Sequence, residues 1–143
     1  MAPTKTTYTW LPGPVGAMLQ RTSLASAARI PLSPTTTLIT TTGHIGLDLA
    51  TGETVTSSPT AEFHAIFTCL DAVVRNAGMR GGLGDVHKVV AYFVHAADEQ
   101  VMLGVWRERF PGRTPTWTSV VVSGIMGGGR AEVQVEGVVY AEE

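Results

Sequence analysis

The sequence predicts a single α+β domain in which a mixed sheet carries two helices on one face. Its 143 residues are the length of one domain. Strand-like and helix-like segments follow one another in the order β–β–α–β–α–β–β, so that strands precede and follow both helices. Such an order favours a mixed sheet with both helices on the same face. We therefore treat residues 1–143 as one domain, with residues 1–20 as an irregular lead-in.

The first third of the chain contains few regular elements. Pro12, Pro14, Pro31 and Pro34 are expected to interrupt any regular ladder up to residue 36, apart from one short strand near Thr7–Trp10. The β-branched run Thr37–Thr42 predicts the first firm strand. It ends at Gly43-His44, where glycine permits an unusual backbone turn.

Two helices carry clear start and stop signals. Ser58-Pro59 is typical of an N-cap followed by proline at the first helical position, and Gly78 is placed to end that helix in a left-handed cap. Asp98 is predicted to cap the second helix, which stops at Pro111-Gly112.

Three further strands are predicted around the second helix. Val86–Val94 is too uniformly apolar to have one wet face, which indicates an interior strand. Thr116–Ser123 and Ala131–Tyr140 follow, and the glycine-rich segment 124–129 between them is interpreted as a hairpin turn.

Composition limits the partners and the compartment. Ten Lys and Arg against twelve Asp and Glu give a net charge of −2 without a basic run, so neither nucleic acid nor a membrane is expected as a partner. No signal peptide or membrane span is visible, and the single Cys69 fits a reducing, cytoplasmic location. With 44% hydrophobic and only 15% charged residues, part of the surface is expected to be covered by copies of the chain.

The four histidines do not make a metal site. His64 belongs to a predicted helix, and His87 and His95 to a strand, in a spacing unlike that of zinc ligands. We expect no metal and no cofactor. A small-molecule metabolite is the expected partner.

Five short segments in register resemble the Rid/YjgF (reactive intermediate deaminase) family, also known as L-PSP endoribonuclease-like, over roughly residues 20–140. They are Ala28-Arg29 with the strand ending at Gly43-His44, the turn Asp48–Gly52, the helix end Leu70–Gly78, the strand opening Asp85–Val89, and Pro115–Thr118. The resemblance implies a chorismate-mutase-like fold and a homotrimer with three clefts between subunits. Such an assembly would cover the open face of the sheet.

The resemblance also implies an altered site. Family deaminases hold the carboxylate of a 2-imino acid with an arginine, and that position is Trp117 in this chain, whose indole cannot form a bidentate ion pair. The family's helix asparagine corresponds to Leu103, and its cysteine two positions after the arginine corresponds to Ser119. The family glutamate on the last strand corresponds to Gln134, or to Glu132 after a two-residue slip. Period-two alternation places Glu132, Gln134 and Glu136 on one face.

Other candidate groups flank the implied cleft. Gly43 and His44 lie where family members present backbone amides and a polar side chain to the ligand, and an imidazole there can exchange a proton near neutral pH, although a surface turn histidine is an equal alternative. Trp117 can equally be a core or interface aromatic. Arg113 and Arg130 are the candidate replacements for the missing anchor, with solvated surface as the alternative.

These residues define three functional hypotheses. The first is a trimer that binds a small, fairly apolar carbonyl, enol or imine intermediate between subunits. Trp117 stacks on the ligand, and His44, Ser119 or a last-strand carboxylate (Glu132 or Glu136) transfers a proton in a cyclisation, tautomerisation or dehydration of specialised metabolism. The second is a non-catalytic ligand-binding or interaction protein. The third is a residual imine deaminase anchored by Arg113 or Arg130.

Overall fold

A mixed six-stranded β-sheet is the frame of the computed structural model, which describes residues 4–141. The strands lie in the order β1-β2-β3-β6-β4-β5, and all neighbours are antiparallel except the parallel pair β4 and β5. The α+β class and the mixed sheet are confirmed. The strands are β1 Thr7–Thr9, β2 Ala27–Ser33, β3 Thr36–Thr41, β4 Lys88–Phe93, β5 Thr116–Val121 and β6 Ala131–Tyr140; the α-helices are α1 Pro14–Arg21, α2 Pro59–Asn76 and α3 Asp98–Arg109, with a 3-10 turn at Gly82–Asp85.

The irregular lead-in predicted for residues 1–20 is wrong where the structure describes it. Residues 1–3 lie outside the described part, and β1 confirms the short strand predicted near Thr7–Trp10, but α1 makes a third helix where two were expected. Pro14 begins α1 instead of breaking it, because the first helical residue needs no backbone N–H. Pro31 lies inside β2 beyond the residues that pair with β1, so the missing N–H costs no ladder bond on that side.

The hairpin predicted between the last two strands is also wrong. β5 is an edge strand parallel to β4, whereas β6 lies between β3 and β4. The connection through α3 brings the chain back to the end of the sheet where β4 begins. β5 therefore starts beside the start of β4 and runs parallel to it. Residues 122–130 therefore pass across the end of β4. β4 is interior in the strand order, as predicted, but its face with Val90 and Tyr92 is only half-buried in the single chain.

The start of α2 follows its sequence signals closely, and that of α3 does not. The Ser58 hydroxyl accepts a hydrogen bond from the Ala61 N–H at 3.1 Å, and Gly78 after the helix has φ 114°. Asp98, in contrast, is the first residue of α3 and makes no cap. The turn begins earlier, because Ala97 is already helical and the Asp98 N–H donates to the His95 carbonyl.

The core lies between the sheet and the helices α2 and α3. Val133 and Val135 of β6 point into it, together with Val89 and Ala91 of β4 and the buried faces of the two helices. Glu132, Gln134 and Glu136 alternate with these residues and therefore share the other face of the sheet, as predicted. In one chain that face is only half-buried.

No helix among residues 4–141 is long and apolar enough to cross a membrane.

Candidate functional site

His44 is fixed beside the start of β6 by its backbone. Its N–H donates to the Val133 carbonyl at 2.8 Å, and its own carbonyl accepts from the Val133 N–H at 3.0 Å. This isolated bridge extends the pairing of β3 and β6 beyond the end of β3. The bridge brings residues 42–47 against the first residues of β6, where Glu132 lies.

The imidazole of His44 is buried and has a defined tautomer. His44 is only 3% exposed as a residue, and its Nδ1 lies 3.0 Å from the Thr42 carbonyl oxygen. Because a carbonyl only accepts, Nδ1 carries the hydrogen and Nε2 carries the lone pair. Nε2 is buried without a hydrogen-bond partner in the described chain. Burial lowers the pKa of His44 below its ordinary value of 6.5, so a neutral imidazole with a free acceptor is expected near pH 7.

Gly43 allows the Glu132 carboxylate to approach the same segment. A Cβ at residue 43 would lie 2.5 Å from Oε2 of Glu132, closer than real contacts allow. Any larger residue would push the carboxylate aside. The glycine therefore fixes where Glu132 stands relative to the turn that carries His44.

His44 and Glu132 line a common apolar cavity of about 350 Å³. It opens between α1, the segment 42–47 and the connection from β5 to β6. The remaining walls are almost entirely aliphatic or thioether side chains, and within residues 4–141 the lining contains no lysine or arginine. The lining residues are Val15, Met18, Leu19, Leu24, Thr42, Gly43, His44, Ile45, Leu47, Met126 and Glu132.

A smaller cavity of about 220 Å³ adjoins the first on the open face of the sheet. Glu132 and Met126 line both cavities, while Gln134 and Tyr92 line only the smaller one. The Tyr92 hydroxyl lies 3.5 Å from the Gln134 side-chain oxygen. Met126 is 87% exposed in the single chain, so the wall that it forms is open to solvent or to a neighbouring molecule.

A buried ion pair holds the start of β6. Glu62 of α2 is fully buried, and its carboxylate accepts from the Arg130 backbone N–H at 2.7 Å, from Arg130 Nη1 at 2.9 Å and from the Ala131 N–H at 3.3 Å. The guanidinium also donates to the Thr56 carbonyl at 3.0 Å. The guanidinium of Arg130 is therefore already bonded within the chain, two residues before Glu132. This makes Arg130 a weaker candidate for binding a ligand carboxylate.

Trp117 and Ser119 lie on the other face of the sheet from Glu132. Trp117 is level with Val89 and packs against the core, with its ring 5.7 Å from that of Trp106 in an edge-to-face arrangement. Its indole N–H donates to the Ser119 hydroxyl at 3.0 Å.

Within one chain the two groups of predicted residues are far apart. Ser119 is level with His44 but three strands away across the order β3-β6-β4-β5, which corresponds to about 14 Å at ~4.8 Å per strand. Glu136 is four residues along β6 from Glu132, or about 13 Å. Leu103 is half-buried on α3. Of the predicted residues, the structure brings together Gly43, His44 and Glu132, with Gln134 beside them.

Arg113 lies at the opposite end of the sheet. Its guanidinium pairs with Asp85 at 3.3 Å, both side chains being substantially exposed. It borders a separate surface cleft of about 650 Å³ that also contains Thr116 and Tyr140. In a single chain, Arg113 therefore cannot serve the cavity that contains His44.

Several residues of the site carried no recognisable signal in the sequence. The apolar wall from α1 was missed because that helix was not predicted. The contact of Glu62 with Arg130 joins residues 68 positions apart, and the tautomer of His44 depends on the Thr42 main chain. Only Pro14 at a helix start and Met126 in a glycine-rich segment could have drawn attention to these walls.

Among residues 4–141, no group of three or more His, Cys, Asp or Glu side chains could hold a metal ion.

Solved structures of similar fold define the class of protein. The chain is similar to RidA from the Antarctic bacterium Psychrobacter sp. PAMC 21119, with 22% identity, a TM-score of 0.70 and coverage of 82% of this chain and 88% of that one. It is similar to a putative endoribonuclease L-PSP from Entamoeba histolytica at 22% identity and TM-score 0.75, covering 95% and 99%, and to yeast Mmf1 at 15% and 0.77, covering 96% and 100%. The fold is thus that of the Rid/YjgF proteins, as the sequence resemblance implied.

The family model described as Endoribonuclease L-PSP matches residues 24–141. The chain therefore belongs to this family, the Rid/YjgF family. No curated protein matches the chain.

Proposed function

We propose that the chain binds a small, fairly apolar carbonyl, enol or imine intermediate and transfers a proton on it, as in a cyclisation, tautomerisation or dehydration. One observation carries the proposal: the imidazole of His44, with a buried and partner-free Nε2, and the carboxylate of Glu132 belong to the wall of one apolar cavity. A base whose pKa lies near or below the working pH, with water largely excluded, is what such reactions require.

The chemistry needs only the two side chains. His44 Nε2 accepts a proton from an acidic C–H, N–H or O–H of the ligand. The Thr42 carbonyl, already bonded to Nδ1–H, then stabilises the imidazolium that forms. Glu132 supplies a negative charge in the same cavity, and the proton returns from Nε2 to another atom of the ligand. The net reaction is a rearrangement or a loss of water, without an oxidant or cofactor.

The proposed assembly is a homotrimer. The face of the sheet that carries Glu132 and Gln134 is half-buried in one chain, and the exposed side chains Val120 and Tyr140 belong to the same face. Covering this face with other copies would close the cavity beside Met126. Trp117, Ser119 and Leu103 would then reach a ligand only from another subunit, and this role stays a proposal.

The charge of the cavity argues against ordinary deaminase chemistry. A 2-imino acid carries a carboxylate, which needs a cationic partner when it leaves water. The cavity lining contains none, Arg130 is paired with Glu62, and Arg113 lies at the other end of the sheet. Catalysis by Glu132 and His44 on an uncharged or protonated ligand fits these surroundings better.

The test is exchange of acidic C–H protons in D₂O, followed by proton NMR with 2-indanone as a small apolar ketone. We expect the wild-type protein to accelerate exchange, His44→Gln to abolish the acceleration and Glu132→Gln to reduce it. Glu53→Gln, the same change at an exposed residue outside the cavity, is the matched control and should behave as wild type.

Two results would contradict the proposal. Exchange no faster than in buffer would favour a non-catalytic binding protein. Rapid hydrolysis of small 2-imino acids that His44→Gln leaves unchanged would favour a deaminase with another anchor.

A further inference from the structure

The ionisable side chains of the His44 cavity differ from those of an anion site in one respect: they accept hydrogen bonds. His44 Nε2 is an acceptor because Nδ1 donates to Thr42, and an ionised Glu132 has only acceptor oxygens. The backbone N–H groups of Thr42 and His44 are already bonded to the Ser26 and Val133 carbonyls. The Thr42 hydroxyl can either donate or accept a hydrogen bond.

Within residues 4–141, the charge in the wall of the cavity is negative and is not balanced by a nearby cation. Among the described residues of the lining, Glu132 alone has a formally charged side chain, and it is an acid. Arg130 stands two residues before it on the chain, but its guanidinium bonds Glu62 and the Thr56 carbonyl. A ligand anion placed there would meet a carboxylate without a compensating cation, which is strongly unfavourable in an apolar enclosure.

The walls favour a compact ring. Two thioethers, Met18 and Met126, face the cavity together with aliphatic side chains. Methionine sulfur is polarisable and makes favourable contacts with aromatic rings. The volume of about 350 Å³ is near the small end of the range for ligand pockets, about 300–1,000 Å³.

We infer that the cavity selects small apolar ring compounds that donate hydrogen bonds and are neutral or cationic, namely phenols, enols, amines and protonated imines. Carboxylates are disfavoured, and a ketone, which can only accept, binds more weakly than its enol. The inference rests on the site of the proposed function and narrows its ligands to the enol and iminium forms. Geometry carries it: the Glu132 carboxylate lines the cavity, the partner-free Nε2 of His44 lies buried in its wall, and the guanidinium of Arg130 is turned away.

Four unreactive probes of similar size test this selection: benzylamine, phenol, anisole and benzoate. Binding to the full-length protein is measured by calorimetry and by the ring-proton NMR signals of His44. We expect affinity in the order benzylamine, phenol, anisole, benzoate, with at least about tenfold between phenol and benzoate. Comparing phenol with anisole isolates the hydrogen-bond donor, because the methyl ether keeps the ring and removes the O–H.

Substitutions at Glu132 and His44 test which of the two residues is responsible for each ligand preference. Glu132→Gln should weaken benzylamine about tenfold and leave phenol almost unchanged. His44→Phe should weaken phenol. Glu53→Gln and His95→Gln make the same kind of change, loss of a carboxylate or an imidazole, at exposed residues outside the cavity and should change neither probe. The probe series on wild-type protein stands even if a variant fails to fold.

The outcomes separate this inference from the proposed function. Benzoate binding as tightly as phenol, anisole matching phenol, or no binding of any probe at millimolar concentration would overturn the ligand class. The expected order without any catalysed proton exchange would support the ligand class and refute the catalysis. Catalysed exchange together with a preference for benzoate would support the catalysis and refute the ligand class.

Discussion

Removing the Glu62 carboxylate should release the start of β6 and destabilise the whole chain. The side chain of Glu62 is fully buried, that of Arg130 is 32% exposed, and three hydrogen bonds join the carboxylate to residues 130 and 131. Taking one partner from a buried pair leaves the other charge and the N–H groups unsatisfied. Such a loss costs about 3–5 kcal/mol.

This loss of unfolding free energy should appear as a lower Tm. For a domain of this size, each kcal/mol of destabilisation lowers Tm by about 2–4 °C, so Glu62→Ala should lose roughly 6–20 °C. Urea denaturation should give the same free energy with little change in the slope against denaturant. The matched control is Glu108→Gln, which removes an exposed acid 4.0 Å from His64 and should change stability by less than about 0.5 kcal/mol.

A second variant separates the ion pair from the cavity left by truncation. Glu62→Met with Arg130→Met fills the space with apolar atoms and should recover part of the loss, because no buried charge is left alone. A loss below about 1 kcal/mol for Glu62→Ala would refute the reasoning. It would mean that water or another group satisfies the start of β6, and that Glu62 does not position Glu132.

Three further predictions concern the site and its neighbours. The unfolding free energy should fall as the pH drops below 6.5, because the unfolded imidazole of His44 binds a proton that the buried one, with its lowered pKa, resists; urea midpoints at pH 5 and pH 8 should show this in wild type, and an identical change in His44→Gln would contradict it. Trp117→Ala should cost about 2–4 kcal/mol in urea denaturation because the indole packs against Trp106, whereas a change under about 0.5 kcal/mol would show that the ring is not part of the core. Gly43→Ala should displace the Glu132 carboxylate and lower the rate of proton exchange, with a stability change of less than about 1 kcal/mol because only a flexible side chain must move; unchanged exchange would disprove that placement.

Local signals predicted the elements that depend on local chemistry. Ser58 and Pro59 start α2 because the hydroxyl caps a backbone N–H and proline suits the first turn. The same property of proline applies at Pro14, where the sequence predicts an irregular segment and the structure has α1. The hairpin error has another cause: whether β6 pairs with β5 or inserts beside β3 depends on contacts between distant residues.

The candidate site was predictable only within one strand at a time. Alternation correctly placed Glu132 and Gln134 on the same face of β6. It could not relate them to Trp117, because the relative phase of two strands depends on the register with β4 between them, and that register puts Trp117 level with Val89 on the core face. His44 was identified from its position after a glycine, whereas its tautomer and burial required the fold.

The position of an arginine in the sequence does not tell whether its charge is available to a ligand. Arg130 is close to Glu132 along the chain and was a candidate substitute for the arginine that the family resemblance implies at the position of Trp117. In the structure its guanidinium lies between Glu62 and the Thr56 carbonyl, where it compensates a buried acid instead of the cavity. Recruiting it for a ligand carboxylate would strip Glu62 of its partner and cost about as much as the Glu62→Ala variant. The ion pair at the start of β6 therefore keeps the Arg130 charge away from the cavity, so stability and the proposed ligand preference depend on one contact.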